Sequence, residues 1–279
     1  MRQLVRSQTA KRLKKLDTEL KSSVLPRGAS KRGDADAIHD LRVSIRRLTE
    51  VLRAFEAWFE PGHVKKIRGS LKKLMDQCAA VRNCDIAVKV LRTARWQDRE
   101  LTAALGEERR HTREELARKL ESWRRRGRVR KWPGQLRVKQ SESEESAAEV
   151  AGRMLQAMTE DLFRAGQAAA EPDSSRQRMH QFRLKTKQVR YTLELFEPVC
   201  AKRTKEVMES LKGLQEKLGA INDCATTLEM VHRDRGAAAA VRSLAAEREA
   251  EFRAYWKKHF GPREKVRWMA VLGAADRKK

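Results

Sequence analysis

Glycine, proline, cysteine and aromatic residues are all scarce in this chain, and each scarcity excludes a class of protein. Fourteen Gly and six Pro among 279 residues leave no collagen-like period and no linker-dominated stretch. The four Cys (Cys78, Cys84, Cys200, Cys224) are too few for a disulfide scaffold and read as reduced thiols. No run of about 20 apolar residues is present to span a membrane. The basic N-terminus (Arg2, Arg6, Lys11, Arg12) lacks the apolar stretch of a secretory signal, so a cytoplasmic protein is expected. Aromatics, at 5%, are too sparse and too core-placed to stack single-stranded bases. Enzyme signatures are missing as well. There is no glycine-rich phosphate loop, no dinucleotide fingerprint and no nucleophile elbow.

Positive charge is what the chain has in excess: 63 Lys and Arg against 38 Asp and Glu, a net +25. The first half dominates, with 37 basic and 17 acidic side chains in residues 1–140 against 26 and 21 in residues 141–279. Such an excess repels itself in a compact state, so a polyanionic partner is expected.

Between the few breakers the sequence is rich in Ala, Leu, Arg, Lys, Glu and Gln, which favour helix. Helices are expected at about 4–22, 34–58, 62–80, 84–95 and 97–126, then at 143–168, 175–197, 200–219, 223–233, 238–260 and 263–275. Ser141 with Glu144 has capping-box spacing for the helix after the central Pro133-Gly134 break. Asp85, Asn222 and Asp223 stand where helices are expected to begin and read as caps. The fold class expected is all-α.

The chain also repeats itself. Ile38-His39-Asp40-Leu41-Arg42-Val43 matches Met179-His180-Gln181-Phe182-Arg183-Leu184 at an offset of 141 residues. Leu71-Lys72-Lys73-Leu74 matches Leu211-Lys212-Gly213-Leu214 at 140, and Cys84 matches Cys224 at the same spacing. A duplicated helical bundle follows: a first repeat over 1–132, a linker over 133–142 and a second repeat over 143–275.

In the first repeat Ile38, Leu41, Ile45, Leu48, Leu52 and Phe55 recur at spacings of 3 and 4. Met179, Phe182, Thr186, Val189, Leu193 and Phe196 do the same in the second, which is the seam of a bundle helix. One residue further on runs a basic stripe: His39, Arg42, Arg46 and Arg53, matched by His180, Arg183, Lys187 and Arg190. Adjacent residues lie about 100° apart on a helix, so the stripe follows the edge of the buried face. Lys65, Arg68 and Lys72 extend it on the next helix, matched in part by Lys205 and Lys212. The expectation is that these rows line a shared basic channel. A row of Arg and Lys beside an apolar seam is otherwise a solvated flank whose stems cover hydrophobic surface, and that reading stays open. Each His is likewise either a ligand donor or a structural side chain. Neither has a second His or Cys one turn away, and His63, His111, His232 and His259 form no ligand spacing, so no metal is expected.

The stretch Trp123-Arg124-Arg125-Arg126-Gly127-Arg128-Val129-Arg130-Lys131-Trp132 holds six basic residues in ten and no acid. Contact with nucleic acid or an anionic membrane is one reading. A solvated hinge running into Pro133-Gly134 is the reading favoured.

These residues resemble the CHAD family, the conserved-histidine α-helical domain. The resemblance is carried by His39-Asp40-Leu41-Arg42 with Arg46 and Arg47, and by His180-Gln181-Phe182-Arg183 with Lys187, Arg190-Tyr191 and Glu194. Leu211-Lys212-Gly213-Leu214-Gln215-Glu216-Lys217-Leu218-Gly219 followed by Asn222-Asp223 looks like the family's second-half motif. The first repeat departs from the pattern at Arg82-Asn83-Cys84-Asp85, where an Arg-Asp pair is usual, and at Cys78-Ala79. The resemblance implies one domain over 1–279, made of two four-helix bundles about a pseudo-twofold axis. It also implies a basic surface or pore that binds inorganic polyphosphate, and association with polyphosphate granules. Some members are fused to or encoded near triphosphatase domains, which makes polyphosphate-metabolising enzymes expected partners.

The residue chemistry agrees with that implication. Polyphosphate offers closely spaced charge and no bases, so it needs cations and donors rather than stacking rings; Arg supplies a fork and Lys a point charge. Non-catalytic polyphosphate binding without a cofactor is therefore the expected function. Nucleic-acid binding is the alternative, and an accessory role beside a triphosphatase or polyphosphate enzyme a third.

Overall fold

The computed structural model describes residues 1–24, 34–140, 145–200 and 204–273. Among them the chain is all-α, with one antiparallel bridge, Phe59 to Val138, the only strand-like pairing. Five helices make up the first part: α1 (Arg2–Val24), α2 (Asp34–Ala54), α3 (His63–Thr93), α4 (Arg99–Arg125) and α5 (Arg128–Gln135). Five more follow: α6 (Ala147–Ala170), α7 (Arg176–Phe196), α8 (Thr204–Val231), α9 (Arg235–His259) and α10 (Pro262–Gly273). The chain divides into two compact units. One holds Arg2–Arg92 with Gln97–Ser143, the other Glu144–Lys279 with Thr93–Trp96 and Met1.

Both expected seams are buried. In α2 and the residue after it, Ile38, Leu41, Ile45, Leu48, Leu52 and Phe55 are all at most 1% exposed. In α7 Met179, Phe182, Thr186, Val189, Leu193 and Phe196 are buried too. The one polar member, Thr186, turns its hydroxyl to the Arg183 carbonyl at 2.8 Å, which satisfies it without a partner helix. Each fully buried Leu, Ile or Phe stabilises the unit by about 1.5–3 kcal/mol.

Two expected breaks do not occur. The helices expected at 62–80 and 84–95 are the single helix α3 (His63–Thr93), and those expected at 200–219 and 223–233 are, from residue 204 on, the single helix α8 (Thr204–Val231). The apolar stripes explain why. Leu71, Leu74, Cys78, Val81, Cys84 and Ala87 keep one face of α3 buried straight through the supposed break. Leu211, Leu214, Leu218, Ile221, Cys224 and Thr227 do so in α8. Asp85, Asn222 and Asp223 are therefore mid-helix residues and not caps; a few tenths of a kcal/mol of unfavourable propensity yields to packing. Real caps lie elsewhere. Asp98 accepts from Leu101 N and Asp234 from Ala237 N, both at 2.9 Å, while Ser175 accepts from Arg178 N at 3.2 Å. Helix α6 opens on a capping box of Ser146 and Glu149; the expected Ser141–Glu144 pair lies outside the described residues.

The basic stretch 123–132 is not a hinge. Gly127, at φ +57, turns the end of α4 into α5, and Trp123 and Trp132 meet edge to face inside the corner at 6.1 Å. The Arg128 guanidinium caps the Trp123 ring at 5.1 Å. Helix α5 tolerates Pro133 because buried Val129 and Trp132 anchor it. The following segment is tied down where Lys139 N donates to the Trp58 carbonyl at 2.9 Å.

Candidate functional site: two basic rows headed by histidine

In the first unit the row begins at His39, which is exposed on α2, and continues through the half-buried Arg42, Arg46 and Arg53. Over those 14 residues the helix rises about 21 Å. Partial burial and the positive charge of Arg82 on α3 hold the His39 pKa below its ordinary 6.5; Arg46 and Arg42 add to this and Asp40 opposes it. Arg42 spans to α3, where Nη1 donates to the Met75 carbonyl at 3.5 Å. With 39 facing 82 and 42 facing 75, the two helices run antiparallel. Lys72 therefore stands level with Arg46, and Arg68 and Lys65 lie toward Arg53. Arg47 is half-buried one residue beyond the row.

Not every member is available to a ligand. Arg53 is forked onto Glu50, its Nε 3.1 Å from both carboxylate oxygens, and Glu50 is only 7% exposed. Arg68 Nη1 donates to Glu56 Oε2 at 3.0 Å. By contrast, no acidic side chain among the described residues pairs with Arg46, Lys65, Lys72 or Arg82.

The second unit repeats the arrangement with different detail. His180 heads the row on α7, and its Nδ1 lies 3.1 Å from Asn222 Oδ1 on α8. Arg183, Lys187 and Arg190 follow, all half-buried. Gln215 Nε2 donates to the Thr186 carbonyl at 2.9 Å and fixes the two helices in register. Beside His180 is a small cavity of about 40 Å³, bounded by Arg176, Arg183 and Asn222, which is room for a water. Arg190 is drawn to Glu194, Nε to Oε1 at 3.7 Å, and lies over the Tyr191 ring at 4.9 Å. Lys212 and Lys205 are exposed on α8, and neither has an acidic partner among the described residues. Lys205 sits at the opposite end of the row from His180.

Arg82, Asn222 and Arg176 were not legible as site residues. Arg82 and Asn222 stand 140 residues apart, the same spacing as Cys84 and Cys224, and each faces its own row's histidine. Each lies one residue beyond the core stripe of its helix, as His39 and His180 do. That offset is the available signal, and the breaks expected after residues 80 and 219 hide it, because Arg82 and Asn222 fall in those gaps.

Burial pushes Cys78 and Cys224 up to about 11 and raises Cys84 as well, so these thiols stay protonated. Among the described residues no three His, Cys, Asp or Glu side chains gather as a metal would require.

Comparison with known proteins agrees with the all-α fold. The CHAD domain family model matches residues 8–232, and the chain belongs to that family. It is similar to the CHAD domain from the plant Ricinus communis, with a TM-score of 0.62 and 21% identity, covering 98% of this chain and 92% of that one. It is also similar to PptA from Streptomyces chartreusis, with a TM-score of 0.67 and 15% identity, covering 97% and 99%. Among curated proteins none matches.

Proposed function

We propose that this protein binds inorganic polyphosphate through the two histidine-headed rows and does not itself turn the polymer over. The observation that carries the reading is the set of row cations with no carboxylate partner among the described residues: Arg46, Lys65, Lys72 and Arg82 in one unit, Lys205 and Lys212 in the other. Cations already paired must surrender a partner to take up phosphate; these need not. Arg42, Arg47, Arg183 and Lys187 flank them and add donors. Paired Arg53, Arg68 and Arg190 contribute less.

Polyphosphate suits the rows better than nucleic acid does. Both supply phosphate charge, but among the described residues the exposed large hydrophobic side chains are Leu184 and Val266, so no fully exposed aromatic ring is offered to stacked bases. Membership of the CHAD family points the same way. Among the described residues no helix is long and apolar enough to cross a membrane. The proposed setting is the cytoplasm, at polyphosphate granules, with polyphosphate-metabolising enzymes as partners.

Competition tests this reading. Labelled long-chain polyphosphate is bound to the full chain and challenged with duplex DNA, and separately with RNA, at equal phosphate concentration. Polyphosphate is expected to stay bound. Displacement by either nucleic acid at parity overturns the assignment.

A further inference from the structure

Away from both rows, α1 and α5 enclose a groove of about 890 Å³ within the first unit. Its α1 wall is a single helical stripe, from Arg6 through Ala10, Leu13 and Lys14 to Asp17, which is about 16 Å or three turns long. The facing wall is α5 and the segment after it, preformed by the Leu136 N to Trp132 carbonyl bond at 2.8 Å and by the Phe59–Val138 bridge. The floor is apolar, made by Leu13, Val129, Pro133 and Leu136.

The charge on the rims identifies the occupant. Arg6 and Lys14 stand on one wall, eight residues and about 12 Å apart along α1. Arg130 and Arg137 stand on the other. All four are exposed, and none has an ion-pair partner among the described residues. The one acid in the lining, Asp17, is already neutralised by Lys21 at 2.5 Å. A single-headed anionic amphiphile would call for cations gathered at one end. Polyphosphate would leave the apolar floor uncovered. Two cationic rails on either side of an apolar floor complement a helix whose apolar stripe is flanked by carboxylates.

We propose that this groove docks an acidic amphipathic helix of a partner protein, about three turns long, with its apolar face on Leu13, Val129 and Leu136 and its Glu or Asp side chains on the four rim cations. The site is separate from the polyphosphate rows. It also gives a role to the outward-facing cations of the 123–132 stretch, of which Arg130 is one.

The test uses the full chain and a fluorescein-labelled helical peptide of about fourteen residues, with Leu on one face and Glu on both flanks, read by anisotropy. Saturable binding is expected. A scrambled peptide of the same composition should bind at least about tenfold more weakly, and so should the Arg130→Gln/Arg137→Gln variant with the original peptide. That variant should melt as the parent does and keep its polyphosphate binding. The proposal is overturned if the peptide does not bind, or if the scrambled peptide binds equally well. It is also overturned if dodecyl phosphate or polyphosphate displaces the peptide at equal charge, since the groove would then take an amphiphile or a bare polyanion.

Discussion

The unpaired cations of the first row set how steeply binding must respond to salt. For single-stranded polyanions the log–log slope is roughly −0.7 per neutralised phosphate. Arg46, Lys65, Lys72 and Arg82 then give that row a slope of about −3 by the same rule. A rise in salt from about 50 to 200 mM would weaken its binding by nearly two orders of magnitude. The triple variant Arg46→Gln/Lys65→Gln/Lys72→Gln removes three of the four contacts and should flatten the slope by about 2. None of the three has an ionic partner among the described residues, so the fold should not suffer. The assay is polyphosphate affinity by anisotropy at four or five salt concentrations, in parent and variant. A nearly flat parent slope, or a triple variant with the parent's slope, would refute the row as the site.

Other outcomes follow from particular contacts. Arg53→Gln should leave polyphosphate affinity and salt slope nearly unchanged while costing about 1–3 kcal/mol of stability in urea unfolding, because Glu50 loses the fork that compensates its burial. The depressed pKa of His39 disfavours the charged ring in the free protein, and a bound polyanion favours it. Binding should therefore take up a proton and tighten as pH falls from 8 toward 6, and His39→Gln should remove most of that gain; an unchanged pH profile in a normally folded variant would make His39 scaffolding. The same depression means that His39 favours folding above the unfolded pKa of about 6.5 and loses that contribution as pH falls through its folded value. In the second unit a Cβ on Gly166 would overlap the Trp256 ring, so Gly166→Ala should destabilise by about 1–3 kcal/mol, read as a lowered Tm with polyphosphate affinity retained once folded.

Some of this protein is legible from residue spacing alone. The 3–4 recurrence from Ile38 to Phe55 and from Met179 to Phe196 marks the buried seams because helix geometry makes burial periodic. His39 and His180 fall at the row heads for the same reason. The continuity of α3 and α8 was obscured because Asn and Asp signal caps locally, whereas Val81, Cys84, Ile221 and Cys224 keep the buried stripe running past them. Helix α5 was hidden by Pro133 and by a run of charge whose tryptophans proved to face inward. Which cations are spoken for was beyond reach. Arg53 and Arg46 look alike in the stripe, and only the packing of Glu50 under Arg53 separates them.

Isothermal titration of the full chain with polyphosphate of defined length addresses the central claim most directly. The parent is compared with a variant carrying Arg46→Gln, Lys65→Gln, Lys72→Gln, Lys205→Gln and Lys212→Gln. Affinity should fall by well over tenfold in a variant whose Tm matches the parent, since each lost charge-assisted contact is worth about 1 kcal/mol or more. Parent-like affinity in that folded variant would place the polyphosphate site somewhere other than the two rows.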